Sequence, residues 1–488
     1  MRIALDKSLK KPIYQQIYDY FSESIRSGAM PVDTRLPPIR SLSRDLGVSR
    51  ITVENSYARL EAEGLVGGRV GSGTYVLPLH IDHNPQQETI ARWPVWQQGP
   101  IARSKRSLQD SLFREIDENV GPPDPVYFSG GIGDPDLFPV KEFGRVMQRI
   151  IRRDGVEGLS YGEPNGYYPL RKTIAQVAAS LGIGINPSNI LVTTGSQQAL
   201  SLVVQTLLQG GDKVIVEQPT YNGALDLFEA LHIQPIAIGV DDDGMKVEEL
   251  ESLLQTYHPK LIYTIPNFQN PSGATLSSPR RRELLELAIR YNVPILEDDY
   301  VGDLRYEGCA QPALKSLDPG GCVIYVSTFS KMLMPDLRVG FLAAEGPIYD
   351  SLVNLKCLND LATSNLTQRA LDAYLSVGSY HAHLRKMVRI YKQRRDDMIT
   401  ALEENLSGYV DFSIPRGGLF VWLQLNESIA TRELVSRSLR AGVGFAPGSG
   451  FFLEEDQYEN YLRLNFAYQT KPSIDKGIKR LAEVIKSF

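Results

Sequence analysis

The pattern of apolar positions changes character along the chain. Up to about Leu77 the period is helical. Ile13, Ile17, Phe21 and Ile25 recur every four residues after Pro12, which predicts a helix stopping near Gly28. Ile39, Leu42 and Leu46 place a second helix after Pro37-Pro38, broken by Gly47. Ser49 can cap a third, with Val53, Tyr57 and Leu60 inward and Gly64 at its end. LVGGRVGSGTYV then reads as a hairpin around a Gly-rich turn.

From about residue 79 to 106 the periodicity is lost, in a polar, Gln-rich, Pro-containing stretch that reads as a linker between domains at 1–78 and 107–488. A coil of this length spans about 30 Å and at most about 90 Å extended. The front segment could thus reach a partner subunit, with Trp93 and Trp96 docking on a neighbouring domain. Beyond Gly121, apolar runs such as NILVTTG, DKVIVEQP, KLIYTIPN, VPILEDDY and GCVIYVSTFSK alternate with helical patterns. That alternation predicts an α/β fold with a mainly parallel sheet. After Gly346, helices and the strand-like GGLFVWLQL and YLRLNFAY form a smaller α+β lobe.

Composition changes this picture little: 42% hydrophobic and 22% charged residues over 488 describe an ordinary globular protein. No apolar run is long enough for a membrane span, and the N-terminus has no secretory h-region. Cys309, Cys322 and Cys357 show no paired spacing, so neither a disulfide framework nor a metal site is expected, in keeping with the cytoplasm. Charge distribution says more. The net charge is −5, yet residues 1–76 hold 11 Lys and Arg against 8 Asp and Glu, leaving the excess of acid to the body. The front segment is therefore the candidate for a polyanion partner.

A helix, a Gly-centred turn and a second helix suit the DNA major groove. Arg50, Thr52, Asn55 and Arg59 would lie on the outer face of the third helix, with Arg40 on the second placed for a phosphate. The hairpin tip, Arg69 to Thr74, offers backbone N–H groups. LPPIRSLSRDLGVSRITVENSYARLEAEGLVGGRVGSGTYV resembles the winged helix-turn-helix of GntR regulators. The resemblance implies DNA contacts at Arg40, Arg50, Thr52 and Gly71, although Pro38 and Ile39 replace a usual Ser and acidic residue.

In the body, STFSKMLMPDLRVGF places Lys331 at the end of an apolar strand, where a bare cation would be costly. As a Schiff base with an aldehyde cofactor it becomes part of the chemistry. Thr328, Ser330 and Arg338 suit a phosphate monoester, as do N–H groups at Gly195, Ser196 and Gln197 opening a helix. Asp298 or Asp299 could keep a pyridine nitrogen protonated. Asn270 and Tyr300 could hydrogen-bond a ring hydroxyl, and Tyr221 could stack on the ring. Together these motifs resemble fold-type I aminotransferases, which use pyridoxal 5′-phosphate (PLP). The resemblance implies Lys331 as the covalent attachment point, Asp298 at the pyridine nitrogen, and Asn270 and Tyr300 at O3′. It implies Tyr221 stacked on the ring and Ser196, Gln197, Thr328, Ser330 and Arg338 at the phosphate. Tyr161 matches a Tyr that reaches the phosphate from the neighbouring subunit, and Arg463 matches the Arg that clamps an α-carboxylate.

A winged helix joined to such a body is the arrangement of the MocR subfamily of GntR regulators. It implies a PLP-dependent transcriptional regulator acting at a DNA operator as a homodimer with exchanged, head-to-tail reading domains. Its body would sense a small amine, an amino acid or PLP itself. In a γ-aminobutyrate-sensing member of GabR type, an Arg two positions after the stacking Tyr holds the effector carboxylate. Gly223 stands there instead, which argues against γ-aminobutyrate. The alternative is a working aminotransferase that carries a DNA-binding domain.

Overall fold

The computed structural model describes residues 3, 5–6, 11–69, 73–78, 124–180, 182–426, 429–454 and 460–488. They fall into two compact units, within Met1–Gly99 and Pro100–Phe488. The linker expected at 79–106, Trp93, Trp96 and Gly71 lie outside the described residues.

The front unit follows its hydrophobic pattern. Helices α1 (Ile13–Arg26), α2 (Ile39–Leu46) and α3 (Arg50–Ala62) precede a hairpin of β1 (Val66–Arg69) and β2 (Gly73–Val76). Ile17, Phe21, Leu42, Val53 and Leu60 are fully buried at the centre. Each contributes about 1.5–3 kcal/mol through burial. Gly47 adopts φ 64° and ends α2 in the left-handed cap that favours glycine. Ser49 Oγ accepts from Thr52 N at 3.1 Å, so the sharp turn between α2 and α3 is fixed at both ends by its own sequence.

The body is built on an eight-stranded sheet. Its strands are β3 (Ile190–Thr193), β4 (Lys213–Gln218), β5 (Gln234–Asp241), β6 (Gly244–Met245), β7 (Leu261–Thr264), β8 (Ile295–Asp299), β9 (Val323–Thr328) and β10 (Gly340–Ala343). The spatial order is β3-β10-β9-β8-β7-β4-β5-β6. Strands β9, β8, β7, β4 and β5 are mutually parallel, whereas β10 pairs antiparallel with β9 and β3. The central strands are apolar without alternation because both faces are covered. The helices of this body include α4 (Val140–Leu159), α5 (Ser196–Leu207), α6 (Asn365–Ser376) and α7 (Ser379–Leu406). The smaller lobe holds a four-stranded antiparallel sheet that includes Phe420–Leu425 and Tyr461–Asn465, the two stretches expected as strands.

Candidate functional site

The carboxyl ends of β3, β4, β7, β8 and β9 converge where open α/β sheets bind ligands. A cavity of about 300 Å³ lies there, lined by Gly131, Ser196, Gln197, Tyr221, Asn222, Ile265, Asn270, Asp298, Tyr300, Thr328, Ser330, Lys331, Arg338, Phe420 and Arg463. Ser196, Gln197, Tyr221, Asn270, Asp298, Tyr300, Thr328, Ser330, Lys331, Arg338 and Arg463, all singled out from the sequence, are among them, whereas Gly195, Gly223, Asp299 and Tyr161 are not, and Tyr161 is 85% exposed.

The two candidate carboxylates part company. Asp298 lines the cavity. The Tyr263 hydroxyl donates to its Oδ2 at 2.9 Å, and its buried Oδ1 has no partner. Asp299 takes the Tyr325 hydroxyl at 2.7 Å and Asn267 Nδ2 at 3.4 Å, away from that cavity. Burial pushes the Asp298 carboxyl up to about 7. Lys331 moves the other way. Burial, reinforced by Arg463 and Arg338, brings its ammonium from the ordinary 10.5 down to about 8.

An anion cradle sits at the head of α5. Gly195 adopts φ 90°, and a side chain there would place its Cβ 2.7 Å from Arg338 Nη2. Arg338 is itself left-handed, at φ 47°, and Nη2 donates to Thr194 O at 2.9 Å. Ser330 N donates to Thr328 Oγ1 at 3.1 Å, while Ser330 Oγ is buried without a partner. The Gln197 side chain is committed elsewhere: Nε2 donates to Gly223 O at 3.0 Å and Oε1 accepts from the Tyr221 hydroxyl at 3.1 Å. Only its backbone can serve the cradle.

Arg463 is a buried cation with no carboxylate partner among the described residues. Nη1 donates to Asn270 Oδ1 at 2.9 Å and Nη2 to Ser129 O at 3.0 Å, while Nε is unpartnered. Its guanidinium stacks over Phe420 at 4.0 Å and Phe451 at 4.9 Å. Burial lowers it to about 10. The Tyr300 hydroxyl donates to Phe268 O at 3.0 Å, so a ring-hydroxyl ligand would have to share or redirect it.

The sequence reading missed Tyr263, Phe420, Phe451 and Glu217. Glu217 is wholly buried and accepts from Thr264 Oγ1, Ile265 N and Gln269 Nε2. Burial pushes it up to about 7. No local motif marks these residues: Tyr263 reaches Asp298 only because β7 and β8 pair in register.

On the front unit, Arg40 and Arg50 are exposed and make no ion pair among the described residues. Thr52 differs from expectation. It is half-buried, and its hydroxyl shares a 2.7 Å hydrogen bond with Ser49 Oγ, so capping engages it. Arg59 is part-exposed but engaged within the unit, lying over the Tyr18 ring at 4.4 Å with Nη1 donating to Gln15 Oε1 at 2.9 Å. The outer face of α3 is instead Arg50, Ile51, Glu54 and Asn55.

Residues 131–481 match the family Aminotransferase class I and II, and residues 13–76 match Bacterial regulatory proteins, gntR family. Aromatic-amino-acid aminotransferase 1 of Thermococcus litoralis is 39% identical, covering 78% of this chain and 92% of that protein. The probable rhizopine catabolism regulatory protein MocR of Rhizobium meliloti is 30% identical over 98% of this chain and 95% of its own length. The crystal structure of Pyrococcus horikoshii kynurenine aminotransferase with PMP superposes with a TM-score of 0.74. It is 36% identical and covers 80% of this chain and 99% of that one. No helix among the described residues is long and apolar enough to cross a membrane.

Proposed function

The chain belongs to the MocR-like regulators, in which a gntR-family helix-turn-helix precedes a class I and II aminotransferase domain, and from that premise we propose a PLP-dependent transcriptional regulator whose body senses a small amine or amino acid. The observation that carries this reading is that one chain holds both an α3 with an exposed outer face and a cavity in which Lys331 stands beside the unpartnered Asp298 Oδ1 and Ser330 Oγ. The unpartnered Asp298 Oδ1 would face the pyridine nitrogen, and the unpartnered Ser330 Oγ and the cradle at Gly195 would take the phosphate. Bound there, PLP would supply an aldehyde for covalent capture of an amine and a ring that draws electrons.

This chain's own residues would do the rest. Lys331 would give up its proton far more readily than an ordinary lysine, because burial destabilises its ammonium. Ser196 and Gln197 N–H groups, Thr328, Ser330 and Arg338 would hold the phosphate. Asn270, whose Oδ1 is turned to Arg463, keeps Nδ2 free to donate to the ring hydroxyl together with Tyr300. Tyr221 would stack on the ring. Arg463 would bind an effector carboxylate through charge-assisted hydrogen bonds. A side chain at Gly223 would meet the Tyr221 ring at 2.5 Å, so no second Arg can stand there unless the ring moves. An α-amino acid therefore fits better than γ-aminobutyrate.

We place the domains at 1–78 and 107–488 with a linker between, and the working unit as a homodimer with exchanged reading heads. Tyr161, exposed beside Val156 and Leu159, would complete the partner's phosphate site. Asn365 Nδ2 donates to Glu157 O and Ser160 O and fixes the turn that carries it. DNA would be met through Arg50 at base edges and through Arg40 and Gly71 at the backbone, with Thr52 contributing mainly by capping α3. Effector binding would change DNA affinity only as far as it favours one state of the body over another. A second reading, a working aminotransferase, draws on the completeness of the donor set around Lys331. Steady-state transamination assayed beside DNA titration separates them. Turnover with no effect of amino acids on DNA binding would favour the enzyme.

A further inference from the structure

The body carries a positive face that the cofactor site does not use. Along α4, Lys141, Arg145, Arg149 and Arg152 are exposed on one side, opposite the buried Phe143 and Ile150. Their spacing of four, four and three residues lines them up over about 16 Å. None has a carboxylate partner among the described residues. Neighbouring guanidiniums are treated differently: Arg153 is tied to Asp154 at 2.5 Å, and Arg369 to Asp154 and Glu157 at 2.9 and 2.8 Å. The helix thus separates cations consumed by the fold from cations left in solvent.

Two further cations, Arg385 and Arg389 on α7, are also exposed and without an ion-pair partner among the described residues. The heads of both helices meet at the end of α6. Phe143 packs 6.0 Å from Tyr374, and α7 begins three residues after α6 stops at Ser376. Glu142 is the acidic residue within this stretch. Aligned like charges on a helix oppose its formation, and the body as a whole carries more acid than base, so the stripe is a local departure that gains nothing from the fold.

We propose that this stripe binds the phosphate backbone of the DNA duplex whose sequence the winged helix reads, as a second, sequence-independent contact surface on the aminotransferase-like body. It rests on the DNA-binding part of the reading above. Five of the six side chains are Arg, whose planar fork matches phosphate oxygens. A free phosphate would occupy one or two of them. A duplex, with a charge every ~1.7 Å of its axis, can neutralise the whole line.

The test uses the full-length, PLP-loaded protein and a duplex selected by the wild type from a random-sequence library. One probe is trimmed to the protected half-sites, and the other keeps long flanks. Affinity is measured against salt for Arg145→Ala/Arg149→Ala/Arg152→Ala and, separately, Arg385→Ala/Arg389→Ala. On the flanked duplex the slope of log K against log salt should fall by about 0.9 per lost contact, so by about 2–3 for the triple variant. The loss should be several-fold or more and equal for all flank sequences. The trimmed duplex, cofactor absorbance and sedimentation should be unchanged. If one variant loses cofactor or sediments abnormally, the variant on the other helix decides. Wild-type slope and affinity on the flanked duplex in the folded variants would overturn the proposal alone. A wild type that binds no duplex would overturn it together with the DNA reading.

Discussion

A lysine that captures an aldehyde must first lose its proton, and Lys331 is placed to do so. Burial beside the charges of Arg463 and Arg338 brings its ammonium down to about 8, with Asp298 opposing the shift. In the apoprotein, covalent capture of PLP should therefore rise as pH rises through about 8 and level off above it. An unperturbed lysine would still be climbing. Removing a positive neighbour must raise the midpoint, so Arg463→Ala should shift that profile upward. The same variant should weaken a carboxylate effector by at least about 1.5 kcal/mol, the lower range for a hydrogen bond to a charged group. Spectral titration of cofactor absorbance reads both. An unchanged profile and unchanged effector affinity would show that Arg463 touches neither group. Lys331→Ala should lose the borohydride-reducible adduct altogether. At this scale much was legible, because Lys331, Ser330, Thr328 and Arg338 stand together in one stretch and the apolar strand before them marks the burial. The choice between Asp298 and Asp299 was legible only through the family resemblance and not from the residues themselves. Adjacent residues at a strand end point to opposite faces, and only the packed sheet identifies the face that meets the cavity.

At the scale of elements, α3 combines a structural first turn with a reading face. Ser49 caps it through Thr52 N, so Ser49→Ala should cost the front unit about 1 kcal/mol, measured as thermal unfolding of that unit. Arg50→Ala should weaken the selected duplex by roughly 1–3 kcal/mol if it contacts a base edge, with cofactor absorbance unchanged. Arg40→Ala should weaken all sequences alike and flatten the salt slope. Equal loss of DNA binding and folding in Arg50→Ala would mark it as a structural residue. The periodicity located all three helices and the hairpin, because caps and glycine stops are local signals. It did not show that Thr52 and Arg59 are engaged by partners within the unit. A helical period gives the buried face but not where a neighbouring helix ends, and α1 extends far enough for Tyr18 to sit beneath Arg59.

At the scale of the whole molecule, alternating strands and helices implied a parallel sheet, yet the strand order is set by crossovers that no local pattern encodes. That order brings Tyr221, Asn270, Asp298 and Lys331 from separate strand ends into one cavity. Tyr161 remains outside the cavity of its own chain, which makes assembly testable by complementation. Tyr161→Ala and Lys331→Ala chains should each bind PLP poorly or without a covalent link, whereas a mixed dimer should regain one complete site. A monomer with full PLP affinity would refute the shared site. The measurement closest to the central claim is DNA affinity of the PLP-loaded protein, by fluorescence anisotropy, across a series of amino acids and amines ranked by their shift of cofactor absorbance. Linkage requires that a ligand which alters DNA affinity is itself bound more or less tightly when DNA is present, by the same factor. We expect ligands that shift the absorbance to change DNA affinity several-fold in the wild type, and to leave Lys331→Ala unaffected. Ligands that shift the absorbance fully while DNA affinity stays constant would contradict the account.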